Sequence, residues 1–120
     1  GVDEAAGSLT FAGNVPQGHL AQLMKSSINR LVDGAQSAAT SSHEALGGLN
    51  AELAILISCV GRKLVMNQRV EEEVEIVRDV LGDEAVMVGF YSYGEIAPFS
   101  GFSSCELHNQ TMTITTFCER

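Results

Sequence analysis

Apolar and polar positions divide the chain into stretches of period two and stretches of three-and-four spacing. Residues 8–15 alternate Leu9, Phe11 and Gly13 against Ser8, Thr10 and Ala12, a weak period of two that predicts a strand. Pro16-Gln17-Gly18 signals a turn, and residues 19–25 read as the returning arm of a hairpin. From Ser27 the period lengthens: Ile28, Leu31, Val32, Ala35 and Ala39 recur three and four apart, predicting an amphipathic helix that stops at Gly47-Gly48. Its apolar stripe is rich in small residues, so the helix can lie close to a sheet.

Residues 52–60 are an apolar run with β-branched members, which predicts a central strand covered on both faces. Gly61-Arg62-Lys63 ends it, and residues 64–66 fit either a strand extension or a short helical turn. The spacing predicts a second helix over 69–81, capped by Asn67, with Glu71, Glu72 and Glu73 at its positive end and Gly82 as its stop. Val70, Val74, Val77, Val80 and Leu81 form its expected buried stripe. Strands follow over 86–93 and 110–118, the last alternating Met112, Ile114 and Thr116 against Thr113, Thr115 and Phe117. The expected fold is one α+β domain over 8–120 with the order β-β-α-β-α-β-β, a mixed and mainly antiparallel sheet, and residues 1–7 as a lead-in.

Composition narrows the partners. A chain of 120 residues, 45% hydrophobic, suffices for one core and is not that of a disordered segment. Its longest apolar run, residues 53–57, is far short of a membrane span. Seven basic against 15 acidic residues give a net charge of −8, which disfavours nucleic acid or an anionic membrane and favours cationic or zwitterionic ligands. Three cysteines without Cys-x-x-Cys spacing make neither a disulfide framework nor a zinc site and suit a reducing, cytoplasmic location. No signal peptide is visible, and Gly1 in place of Met suggests a piece of something longer. His19, His43 and His108 are too scattered for a metal site, and no glycine loop has phosphate-binding spacing, so no cofactor is expected.

Three clusters could carry chemistry. Ser58-Cys59-Val60-Gly61-Arg62 is a small-residue turn after a buried strand, where Arg62 offers a fork of donors suited to a carboxylate. The plainer reading is a buried structural cysteine beside a surface arginine. In Gly89-Phe90-Tyr91-Ser92-Tyr93-Gly94-Glu95, the two tyrosines share a strand face with Gly89, which leaves room for a cavity they could wall. They serve equally as edge-of-core residues with wet hydroxyls. His108-Asn109 precedes the last strand. Asn109 suits loop backbone groups, and a lone histidine is more often structural than catalytic.

Taken together and in this order, Ser58-Cys59-x-Gly61-Arg62, Gly89-Phe90-Tyr91-Ser92-Tyr93-Gly94-Glu95-Ile96-x-Pro98 and Leu107-His108-Asn109-Gln110-Thr111 resemble the FIST C-terminal domain. The resemblance runs over about 8–119, and the tyrosine-glycine-glutamate segment is its most specific part. It implies a sensory module of bacterial, archaeal and some eukaryotic signalling proteins. Such a module follows a FIST N-terminal domain, works with two-component or chemotaxis partners such as histidine kinases and chemotaxis receptors, and binds small ligands, with amino acids proposed. The residues expected to form the site are Cys59, Arg62, Tyr91, Tyr93, Gly94, Glu95, His108 and Asn109. In that reading Arg62 holds a ligand carboxylate, Glu95 an amino group, and Tyr91, Tyr93 and His108 line one pocket. Two other functions compete: a protein-interaction or dimerisation module, and an enzyme pairing Cys59 with His108 as nucleophile and base. The segment 99–105 carries no matching motif.

Overall fold

The three-and-four spacing after Ser27 forms the first helix as expected. In the computed structural model, which describes residues 1–98 and 103–119, α1 spans Ile28–Ala45. Ser27 is extended and its hydroxyl accepts from the Arg30 N–H, satisfying one of the unpaired donors of the first turn. Leu31, Ala35 and Ala39, four residues apart, form the buried stripe. Gly47 and Gly48, at φ 65° and 94°, take the left-handed conformations that end the helix.

The central strand β3 spans Leu53–Cys59. A short helix α2, Val60–Met66, begins directly after it and settles the open reading of residues 64–66 as helical. A 3-10 turn, Asn67–Arg69, leads to α3, Glu72–Leu81. Asn67 closes α2 at φ 51° and does not cap α3. The chain returns as β4, Val86–Ser92, parallel to β3, and a later strand β7, Met112–Phe117, pairs antiparallel on the other side of β3. The resulting sheet has the order β4-β3-β7. A parallel pair requires a crossover, which α2 and α3 supply. The Arg78 guanidinium ties the α3–β4 turn by reaching the carbonyls of Gly82, Asp83 and Ala85.

Both long helices lie on one face of this sheet. Ala54 and Leu56 of β3 meet Ala35 and Ala39 of α1 and Val77 and Leu81 of α3. The Ser42 and Thr116 hydroxyls, 2.9 Å apart, join α1 to β7. The expectation that β3 is covered on both faces is therefore corrected. On the second face Ile55 and Ile57 are half-buried, while Val86, Val88, Phe90 and Phe117 are exposed.

Two further differences from the expected order come from short strands. Glu95–Pro98 and Cys105–His108, β5 and β6, form an antiparallel hairpin of their own. At the N-terminus Val2–Asp3 and Ser8–Leu9, β1 and β2, pair around a turn in which Gly7 has φ 60°. Residues 10–27 have no regular structure, so the predicted 8–15 and 19–25 hairpin is replaced by a shorter one upstream. Three of the four strand pairings among the described residues are antiparallel, in small sheets rather than one. Among the described residues, no helix is long and apolar enough to cross a membrane.

Candidate functional site

The chemistry gathers where β3 and β4 end. Ser58 and Tyr91 are register partners, as are Cys59 and Ser92. Successive residues of a strand point to opposite faces, so the first pair faces the helices and the second the open side. Ser58 and Tyr91 serve one buried carboxylate, and Ser92 serves another.

On the helix side that carboxylate is Glu73 of α3, fully buried. It accepts from Ser58 Oγ at 3.1 and 3.3 Å, from Arg62 Nε at 2.9 Å and from the Tyr91 hydroxyl at 2.7 Å. Arg62, also buried, donates through Nη2 to the Leu31 carbonyl at 2.7 Å. One carboxylate thus joins α3, β3, α2 and β4, and through Arg62 it reaches the first turn of α1. Burying this charge requires such pairing, because an unpaired ion in the interior costs several kcal/mol. Burial, then the hydrogen bond to Glu73, raises the Tyr91 phenol well above its ordinary value, so it stays a donor. The Lys63 ammonium stands 4.9 Å over the Tyr91 ring, in cation–π range.

Beside this network, between α3 and β4, lies a cavity of about 210 Å³. Val74, Met87, Leu56 and Met112 give it apolar walls, and Glu73, Ser58 and Tyr91 its polar end. Gly89 also lines it. A Cβ there would stand 2.0 Å from the Leu56 carbonyl oxygen, so only glycine lets β4 lie this close to β3.

On the open side the carboxylate is Glu95, 2% exposed. It accepts from Ser92 Oγ and Thr111 Oγ1, each at 2.9 Å. It faces His108 across the β5–β6 hairpin, and His108 Nε2 lies 3.0 Å from the Ala97 carbonyl.

Of the eight residues expected at the site, Tyr91 lines the cavity. Arg62 touches the same network from behind, its guanidinium spent on Glu73 and Leu31 within the fold. Cys59 is buried at the end of β3. Gly94, Glu95 and His108 gather in the hairpin, where a Cβ on Gly94 would meet Leu107 Cδ1 at 2.9 Å. Asn109 stands beside Gly13, and Tyr93 is 91% exposed. Residues 99–102 of the unmatched 99–105 segment lie outside the described residues.

Glu73 is the residue that sequence reasoning missed. The sequence reads Glu73 together with Glu71 and Glu72 as suiting the positive end of the helix, yet it occupies the buried stripe with Val77 and Leu81, while Val74 is exposed. The signal was present: Glu73, Val77 and Leu81 are four apart, so a carboxylate stands on an apolar face.

The FIST C domain profile matches residues 1–98. The chain belongs to the FIST C domain family. The matched span contains β3, the junction of β3 with α2 that carries Arg62, and the tyrosine-glycine-glutamate segment, while His108-Asn109 lies beyond it. No curated protein and no solved structure matches the chain. FIST C domains are sensory domains of signal-transduction proteins rather than a catalytic family. Among the described residues of this FIST C domain, no three His, Cys, Asp or Glu side chains are grouped to hold a metal.

Proposed function

We propose that this FIST C domain senses a small cationic or zwitterionic ligand of amino-acid size, held in the cavity between α3 and β4. The observation that carries the reading is a buried carboxylate at the polar end of an apolar cavity. Ionised carboxylates offer about four lone-pair positions, and Ser58, Arg62 and Tyr91 bring one proton each to Glu73. One position is left for a ligand N–H, while Val74 and Met87 suit an apolar side chain. The volume lies below the usual range of about 300–1,000 Å³ for ligand pockets, which favours a molecule of few atoms.

The same network supplies a route for the signal. A ligand drawing on Glu73 weakens its hold on Arg62, and Arg62 in turn holds the Leu31 carbonyl of α1. Cys59 and Arg62 act from behind the cavity. The hairpin bearing Tyr93, Gly94, Glu95 and His108-Asn109 closes the end of the sheet and completes the site against a FIST N-terminal domain of an intact cytoplasmic signalling protein. Histidine kinases or chemotaxis receptors would receive the output.

Calorimetry with amino acids and simple amines tests this reading, using the whole chain. Saturable binding is expected, together with thermal stabilisation that grows with ligand concentration. Val74→Phe, which fills the cavity from an exposed position, should abolish binding and leave the far-UV circular dichroism unchanged. Binding that survives this substitution, or no binding by any of these compounds, sinks the proposal.

A further inference from the structure

Residues 10–27 are a long stretch without secondary structure for a small domain, where most connections are far shorter. Their apolar side chains stand largely in solvent: Phe11 and Val15 are about half exposed, and Leu20, Leu23 and Met24 more so. Yet the turn between the two halves is already made. The His19 N–H donates to the Pro16 carbonyl at 3.2 Å, and Gly18 at φ 83° takes the left-handed position that a type II turn needs at its third residue. A chain reversal is thus formed between residues 10–15 and 19–25 while neither segment is paired as a strand.

A receiving edge lies nearby. The Cys59 N–H donates to the Thr111 carbonyl, and antiparallel pairing alternates, so Met112, Ile114 and Thr116 direct their backbone groups away from β3. That side of β7 has no neighbouring strand among the described residues. Helix α1 runs along β7 in the same direction, with Ser42 beside Thr116 and its first turn tied to Arg62, just past the end of β3. Residues 19–25 therefore join α1 at the Met112 end of β7, and a strand built from them would lie antiparallel to β7. Residues 25–27, extended, span roughly 10 Å, enough to step from a helix layer to a sheet. Gly13 already lies next to Asn109, three residues before β7.

We infer that residues 10–25 are a strap that closes as a hairpin on the free edge of β7, with residues 19–25 as the inner strand. Closure widens the three-stranded sheet to five and covers an edge that is otherwise open to any extended chain.

Hydrogen exchange on the 120-residue chain tests the inference, compared with Leu23→Pro, which removes a donor from the inner strand. The Ile114 and Thr116 amides are expected to exchange at least about tenfold more slowly in the parent than in the variant. Unchanged protection at Leu56 and Val77 would show that the variant keeps its core. An Ala21→Pro variant repeats the comparison if Leu23→Pro fails to fold. Equal exchange of Ile114 and Thr116 in parent and variant overturns the strap. So does slowed exchange confined to β4, or protection that disappears on dilution, which would mean pairing between two copies.

Discussion

Glu73 and Glu95 are carboxylates sealed from water at the same end of one sheet, on opposite faces, and they are held by different means. Glu73 receives a guanidinium and two hydroxyls, and its network ties three helices to two strands. Glu95 receives hydroxyls from Ser92 and Thr111, next to it in a small hairpin end. A buried ion pair is costly to break from one side, because the surviving charge stays behind in the interior. A carboxylate held by neutral donors leaves no such charge when it is replaced. The two sites should therefore respond differently to the same substitution.

The largest effect is expected from breaking the charged pair. Arg62→Met or Glu73→Leu should each cost about 3–5 kcal/mol in urea unfolding. The double variant should be less destabilised than either single one, since it leaves no unpaired ion. If the losses of the two single variants simply add, the pair is not coupled as the geometry implies.

Glu95→Gln keeps one acceptor and is expected to cost about 1–2 kcal/mol, well below Glu73→Gln measured under the same conditions. Equal losses at the two positions would erase the contrast between the faces.

Tyr91→Phe removes one of the donors from the Glu73 carboxylate and should cost about 1.5 kcal/mol. The pH dependence sharpens this. The folded phenol titrates above its ordinary 10.0, so its contribution is complete below about pH 10 and is lost as pH rises toward the folded value. The parent should lose stability with increasing pH in that alkaline range, and Tyr91→Phe should lose less. The smallest effect belongs outside both sites. Arg69 and Glu72 make a bidentate pair in solvent, and Glu72→Gln should leave the thermal midpoint unchanged.

Much of the fold was legible because α1 and β3 each bury one face repeatedly, which leaves a period, while β4 and β7 are runs of strand-forming residues bounded by turn signals. The elements that escaped are short or abut others. Helix α2 starts at the residue after β3 ends, with no spacer to mark a change of period. Strands β5 and β6 are four residues each, too few for alternation to register. The 19–25 arm reads as a strand because its residues suit one, but a strand exists only with a partner, and partners are not written locally. Of the candidate site, position along the chain was legible: Cys59, Arg62, Tyr91 and Glu95 lie near the ends of β3 and β4, on the two faces of the sheet. Direction was not. Arg62 looks like a donor for a ligand until Glu73, eleven residues later, is found in its path. A carboxylate within an acidic run hides its apolar position.

The open face of the sheet bears on how this molecule lives in crowded solution. Val86, Val88 and Phe90 present an apolar strip on β4, whose outer edge has no partner strand among the described residues. What separates two copies is the net charge of −8. Mutual repulsion among copies is thus part of the design of the surface, and it weakens as carboxylates take up protons. Colloidal stability should fail on mild acidification before the core does, with the sheet face as the first point of adhesion.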